Sequence, residues 1–354
     1  MIWRTGFEQS KKAFMITTSD GLKESEGKIS ELTVSFIIPY FNSGKTIAAC
    51  LQAIFNQAKI TDEILLINDG GLLPKDLPYL NDERLKCFSL NENQGSAAAR
   101  DFGAHKAQGD LLLFVDADVA LSSTARSMME KRFLEDLSLS LCFAGLEISP
   151  KSGFFSDYKN LYMSYILSHL VEQLNYVYGC CCVSRRSTYL PWPRGVRYID
   201  DSVWGYEYFR SGKKIVFASD ILVDHQKEYK LGSLIKNDFR VAREFMIFFL
   251  ERKRWSVVTA QEKFGHTSLS QVFSLIVAVL IPFCFFLHPL LLGLAIMIWV
   301  FVQFGFWSYF FKQRGFLFVL KAVAWTYFDH FIYLSGMVVG LFLSVLGLRK
   351  LHVH

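Results

Sequence analysis

Asp116 and Asp118 stand one residue apart at the end of the apolar run LLLFVDADVA, residues 111–120. Two carboxylates this close gain a buried strand nothing. Either they sit in solvent past the strand end or they hold something positive. In an extended chain residues i and i+2 point to one side, so both can face one space. Hard divalent cations want oxygen ligands, and Mg2+ commonly uses one or two carboxylates plus substrate phosphates. Asp-Ala-Asp at a strand end therefore suits a metal–diphosphate site, although the tripeptide alone is common in loops.

The elements that would position the pair read as strands alternating with helices. VSFIIPYFN (34–42) is a short apolar run closed by Pro39 and Asn42: a buried strand, then a loop. Residues 44–57 carry apolar positions at helical spacing. DEILLIND (62–69) is a second strand, RLKCFSLN a weaker third, and 95–107 a helix rich in small residues. The aspartate run is the fourth strand. Helical 122–137 precedes another strand, LCFAGLEI, and the 198–225 block reads as a loop, a helix, a glycine turn and a strand ending at Asp224 and His225. This order predicts an α/β domain with a mostly parallel sheet and helices on both faces. Ligands in such sheets bind beyond the carboxyl ends of the strands. Three of these runs end in Asn42, in Asp69, and in Asp116 with Asp118; each alone also reads as a turn residue.

Composition limits the function classes. The chain has 354 residues, 51% hydrophobic, with 33 phenylalanines and a net charge of +5. No basic stripe interleaved with aromatics suggests nucleic acid. The basic groups Arg252, Lys253, Arg254, Lys312 and Arg314 flank apolar segments and fit a membrane surface better. Seven cysteines with no CxxC pair argue against zinc, redox chemistry or a disulfide framework. Residues 1–33 read as a polar tail rather than a signal peptide, which leaves the downstream site cytosolic. The expected organisation is that tail, a catalytic domain over 34–230, an amphipathic interfacial linker over 231–268, and a transmembrane region over 269–354.

The ordered blocks resemble the family 2 glycosyltransferases of GT-A fold from about residue 34 to 225. VSFIIPYFN is similar to the family's opening strand and nucleotide loop. EILLINDGG resembles the strand ending Asp-Asp-Gly-Ser, here Asn68, Asp69, Gly70 and Gly71. NQGSAAARDFGAHKAQGDLLLFVDAD runs into the D-x-D metal motif, and DDSVWGYEYFRSGKKIVFASDILVDH resembles the block that carries the base. The resemblance implies an inverting transfer of a sugar from a nucleotide-sugar donor, with Mn2+ or Mg2+. Pro39, Phe41, Asn42, Asp69, Gly95, Arg100 and Asp116 would bind the donor, Phe41 stacking on the base that Asp69 hydrogen-bonds. Asp118, with Asp116 and His225, would hold the metal. Asp201 would be the general base. On the residues alone, Asp69 also reads as a turn aspartate, His225 as a strand cap, Asp201 with Asp200 as a helix cap, and Arg100 as a helix-face residue. Cys180, Cys181 and Cys182 read as acceptor-side or small core residues.

Residues 269–287 and 289–311 are each long enough to span a bilayer, separated only by His288. Ser268 and Gln271 could cap the first helix, and Pro282 could kink it. Residues 331–348 are a third, short span in which Gly336 and Gly340 permit a close helix contact. Residues 314–330 read as an interfacial helix or a fourth span. Three spans would put Arg349 and Lys350 opposite the enzyme domain, against the positive-inside tendency. The reading that follows is an integral membrane hexosyltransferase with a cytosolic catalytic domain and a lipid-linked acceptor, acting in cell-envelope glycan synthesis at a bacterial-type plasma membrane. Two alternatives are a processive polysaccharide synthase, whose Gln-x-x-Arg-Trp motif is matched only poorly by residues 251–255, and a non-catalytic scaffold. Oligomeric state is open.

Overall fold

The computed structural model describes residues 31–170, 174–251 and 269–349. The expected tail to residue 30, the basic Arg252, Lys253 and Arg254, the linker beyond Glu251, Ser268 of the expected cap, and Lys350 lie outside them.

The chain runs β1 (Val34–Tyr40), α1 (Ile47–Phe55), β2 (Glu63–Asp69), β3 (Leu85–Leu90), α2 (Ser96–Lys106), β4 (Leu111–Val115) and β5 (Val119–Leu121). It continues through α3 (Ala125–Glu135), β6 (Leu139–Leu146), α4 (Phe154–Leu167), β7 (Cys181–Arg185), α5 (Asp200–Arg210) and β8 (Lys214–His225). Every residue of β2 and β4 is buried, as expected of strands covered by helices on both faces. The eight strands form one sheet in the order β3-β2-β1-β4-β7-β6-β8-β5. The first four are parallel, and so are β6 and β8. β7 runs antiparallel to both its neighbours, and β5 runs antiparallel to β8. The sheet is thus mostly parallel, as expected, and β7 and β5 make it mixed. β7 starts where β4 stops, because the Cys180 carbonyl takes the Asp116 N–H at 2.9 Å and the strand then runs away from that end.

Beyond the sheet come α6 (Leu231–Glu251), α7 (Leu269–Leu287), α8 (Pro289–Arg314) and α9 (Phe316–Val345). The last three are long and apolar enough to cross a membrane. Their outer faces are apolar: Phe286 is 83% and Phe301 80% exposed. α7 and α8 form the tight hairpin expected, with His288 Nδ1 accepting the Leu290 N–H at the start of α8. The segments read separately as 314–330 and 331–348 are one helix of 30 residues, about 45 Å long at ~1.5 Å per residue. Lys321 and Asp329 only appear to interrupt it. Lys321 is exposed, and Asp329 is turned inward.

α9 meets α4 and α6 at several points along its length. Arg314, just ahead of it, holds Asp157 of α4 at 2.7 and 2.9 Å and the Ile148 carbonyl at 2.8 Å. Thr326 Oγ1 lies 3.1 Å from Tyr158 Oη. Gly336 and Gly340 then meet α6 so closely that a Cβ at either would fall 2.4 Å from the Phe239 carbonyl or 2.5 Å from that of Arg243. Past the helix end, Arg349 pairs with the fully buried Glu244 at 3.0 Å. α6 in turn packs Phe245, Ile247 and Phe248 against Val203 and Tyr206 of α5. Tyr158 and Leu161 of α4 share a second core with Trp299, Phe306 and Trp325.

Gly336→Ala should therefore overpack a backbone contact and cost about 1–3 kcal/mol, read as a lower melting temperature in detergent. Gly293→Ala, whose Cβ meets nothing within 4 Å, should leave it unchanged or raise it slightly. Equal effects of the two substitutions would contradict the close contact.

Candidate active site

A cavity of about 470 Å³ opens beyond the carboxyl ends of β1, β2 and β4. Nine of the ten site residues expected from the sequence line it: Pro39, Phe41, Asp69, Gly95, Arg100, Asp116, Asp118, Asp201 and His225. Asn42 does not. It adopts φ +54°, which Asn tolerates, and its Oδ1 accepts the Leu72 N–H at 3.2 Å, shaping the loop behind the cavity.

Asp69 closes the cavity where β2 stops. Its two carboxylate oxygens accept the N–H groups of Gln94 at 2.7 Å and Gly95 at 2.8 Å. Gly95 does this at φ +98°, a conformation that suits glycine, and α2 begins at the next residue. Asp69 is therefore more than a turn residue: it ties the end of β2 to the start of α2. Phe41 is half exposed at the rim.

Arg100 lies at the centre and is not a helix-face residue. It is 5% exposed, and its guanidinium donates to Asp116 Oδ1 at 2.5 Å and Asp200 Oδ2 at 2.9 Å. It also stacks over the Trp192 ring, 4.5 Å from its centroid, and Trp192 stacks on Trp204 of α5. Burial alone would lower the Arg100 pKa, but the two carboxylates override it and hold the group charged. One cation thus joins α2, the end of β4 and the start of α5.

Asp-Ala-Asp is not extended. The Val119 N–H returns to the Asp116 carbonyl at 2.9 Å, so the tripeptide is a tight turn between β4 and β5. The two carboxylates consequently have different partners. Burial pushes the Asp116 carboxyl up, against the pull of Arg100. Burial also works against ionisation of Asp118, but the His225 imidazole 3.4 Å away overrides it and holds the carboxyl at about 2. His225 Nδ1 lies 3.1 Å from Tyr178 Oη, which fixes the ring. Nε2 faces Asp118, an ion pair when the ring is protonated and, when it is neutral and donates from Nδ1, two acceptors that a shared cation would reconcile. Among the described residues no group of three or more His, Cys, Asp and Glu forms a self-sufficient metal centre. Asp118 and His225 therefore fit a hard cation whose other ligands come with a diphosphate, and Asp116 is drawn off towards Arg100.

Asp201 sits in the first turn of α5 rather than at its cap, which is Ile199. Its carboxylate accepts the Gly179 N–H at 2.9 Å and the Ser202 N–H at 2.7 Å. Gly179 has no room for a side chain, since a Cβ would lie 2.7 Å from that of Asp201. Burial, and then the charge of Asp200 beside it, push the Asp201 carboxyl up to about 7. Cys180, Cys181 and Cys182 are buried free thiols, all pushed up by burial.

Sequence reasoning missed α4 and what it brings. Lys159 and Tyr162 line the cavity, and Lys159 pairs with the fully buried Asp238 of α6 at 2.6 Å. The signal was there in apolar and aromatic positions 154, 155, 158, 161, 162 and 165 at helical spacing after Gly153. Tyr178, Arg197 and Lys227 also line the cavity.

Comparison with known proteins finds glycosyltransferases. The family model described as "Glycosyl transferase family 2" matches residues 35–190. The cholesterol galactosyltransferase of Borreliella burgdorferi is 35% identical over 137 residues, 36% of this chain. The match spans 38% of that relative's own length. The glycosyltransferase AglE of Haloferax volcanii is 24% identical over 264 residues, 71% of this chain and 81% of its own. Among solved structures, the mannosyltransferase PcManGT from Pyrobaculum calidifontis, in complex with GDP-Man and Mn2+, shares the fold. Its TM-score is 0.52 at 14% identity, over 89% of this chain and 88% of that one.

Replacing Arg100 with Met keeps the stem on Trp192 but leaves Asp116 and Asp200 without their cation. Breaking a buried pair costs ~3–5 kcal/mol, and Asp116 is partly open to water, so the low end applies. A fall in melting temperature on the order of 6–12 °C is expected. A variant as stable as the parent would show that the bridge does not hold the site together.

Proposed function

We infer a sugar-transfer reaction for this chain, whose residues 35–190 match the family 2 glycosyltransferase model. The reading is a metal-assisted, inverting transfer of a hexosyl group from a nucleotide sugar to a lipid-linked acceptor. One observation carries it: a single cavity brings the cation-seeking pair Asp118 and His225 together with Asp201, a carboxyl whose proton affinity lies near neutrality. The donor's base would lie between Phe41 and the Asp69 loop. Its diphosphate would face Asp118, Lys227 and His225. Asp201 would accept the proton of the acceptor hydroxyl as its oxygen bonds the anomeric carbon. The bond from that carbon to the diphosphate breaks on the opposite face, and the nucleoside diphosphate leaves with its electron pair. A divalent cation, Mn2+ or Mg2+, would neutralise the charge that develops there. The apolar helices support a lipid acceptor, and so does the name of one relative, which pairs galactose transfer with cholesterol.

The same reading extends to the membrane. α9 contacts the catalytic side from Arg314 to Arg349, which supports an in-plane helix, with α7 and α8 as the only crossing pair among the described helices. Lys312, Arg314, Lys321 and Arg349 then share the catalytic side, and the positive-inside tendency puts that side in the cytosol. This arrangement removes the conflict that three spans create.

Purified protein should transfer sugar from one donor of a nucleotide-sugar panel in the presence of Mn2+. Asp201→Asn should lower kcat by about 10²–10⁴-fold and leave nucleotide binding intact. Because the base works deprotonated, kcat/KM should rise with pH through about 7 and level off above it. Asp118→Asn should abolish the Mn2+ dependence of nucleotide binding; full transfer by this variant would sink the metal-assisted reading. No turnover with any donor would favour the scaffold alternative.

A cysteine at Leu348 should react with a membrane-impermeant thiol reagent only after the cytosolic face is opened. One at Leu287, beside the hairpin turn, should react in intact cells. Labelling of both from one side would refute the in-plane α9.

A further inference from the structure

A second cavity of about 330 Å³ lies beneath the catalytic one, walled by α4, α6, α7, α8 and α9. The two share Tyr162, Val241, Phe245 and Tyr333, so they adjoin at these side chains. Its wall is mostly apolar, and two of its walls, α7 and α8, present apolar outer faces. At ~30 Å³ for a water-sized unit, close to that of a methylene, it takes roughly ten carbons of one chain.

The charges around the junction are lopsided. From α4 comes Lys159, already matched by Asp238 of α6 at 2.6 Å. From α5 comes Asp201, and from α9 Asp329, whose Oδ1 is buried in the wall with no hydrogen-bond donor among the described residues. Asn237 and Tyr333 are uncharged. The other cations stand at the donor end: Arg197 beside Asn93 and Gly95, and Lys227 facing the Asp116 and Asp118 carboxylates. An anionic head group at this junction would meet two buried acids and no cation without a partner. A hydroxyl can donate to either acid or accept from it, whichever protonation state the acid holds.

We propose that the lower cavity holds the apolar body of the acceptor, and that the acceptor is a lipid bearing an uncharged hydroxyl rather than a phosphate. This rests on the glycosyltransferase reading for the identity of the reacting group, but the cavity and its charge make the prediction on their own. The hydroxyl reaches Asp201 past Tyr162 and Phe245 while its chain stays below.

The test uses the full-length protein in detergent without donor. A long-chain alcohol carrying a photoactivatable diazirine on its chain is cross-linked and mapped by mass spectrometry, in competition with unlabelled alkyl alcohols and alkyl phosphates of six to sixteen carbons. Cross-links are expected on α4 and α6 at the cavity wall. Competition by alcohols should tighten by up to about fourfold per methylene and flatten near ten carbons. Phosphates of equal length should compete at least tenfold less well. Leu275→Trp and Val302→Trp, which fill the cavity away from Asp201, should lose the cross-links and keep nucleotide–Mn2+ binding as the check on folding. Cross-links confined to the outer faces of α7 and α8, or phosphates competing as well as alcohols, would overturn the proposal. The competition in the unmodified protein decides it even where a filled variant does not fold. Cross-links of the expected kind in a protein that binds no nucleotide would keep the lipid site and discard the transferase reading.

Discussion

The site depends on one buried guanidinium. Arg100 has no solvent to satisfy it, so it must be met by protein groups, and Asp116 and Asp200 meet it from two different elements. Without it two carboxylates would lose their cation, and without them Arg100 would be a buried charge with no counter-ion. The arrangement fixes the end of β4 against the start of α5. It therefore sets how far the Asp118 turn lies from Asp201, the two groups between which a donor and an acceptor would have to meet. Trp192, stacked between Arg100 and Trp204, leaves that cation little room to move.

A second set of polar contacts joins this site to the apolar helices. α4 carries Asp157, which holds Arg314, and Lys159, which holds Asp238. α6 carries Asp238 towards α4 and Phe248 towards α5, while its opposite side takes the glycines of α9. The floor of the catalytic cavity is thus built from the same two helices that carry the load of the membrane part.

Much of this was legible in the sequence because it is local. Strands such as VSFIIPY and EILLIND announce themselves by unbroken apolar runs, and the polar residues that end them fall at one edge by topology alone. Asp69, Asp116, Asp118, Asp201 and His225 converge as the ordered blocks implied. What was hidden depends on partners far apart in the chain. The Asp-Ala-Asp turn is set by Cys180 and by the path of β5, not by its own spacing. The antiparallel β7 follows from the same contact. Arg100 reads as an ordinary helix charge until Asp200, 100 residues away, is brought to it. α9 looks broken at Lys321 and Asp329 because hydropathy cannot tell a charge facing water from an acid turned inward.

The backbone contact of Gly336 and Gly340 with α6 is an unusual way to hold a catalytic floor. Side-chain packing can be retuned by rotamers, but carbonyl oxygens of Phe239 and Arg243 sitting where a methyl would go leave no such adjustment. The height of the cavity mouth above the apolar helices is therefore a fixed length, like the gap of a caliper. Two missing methyl groups, remote from the acidic residues of the cavity, set where its floor lies.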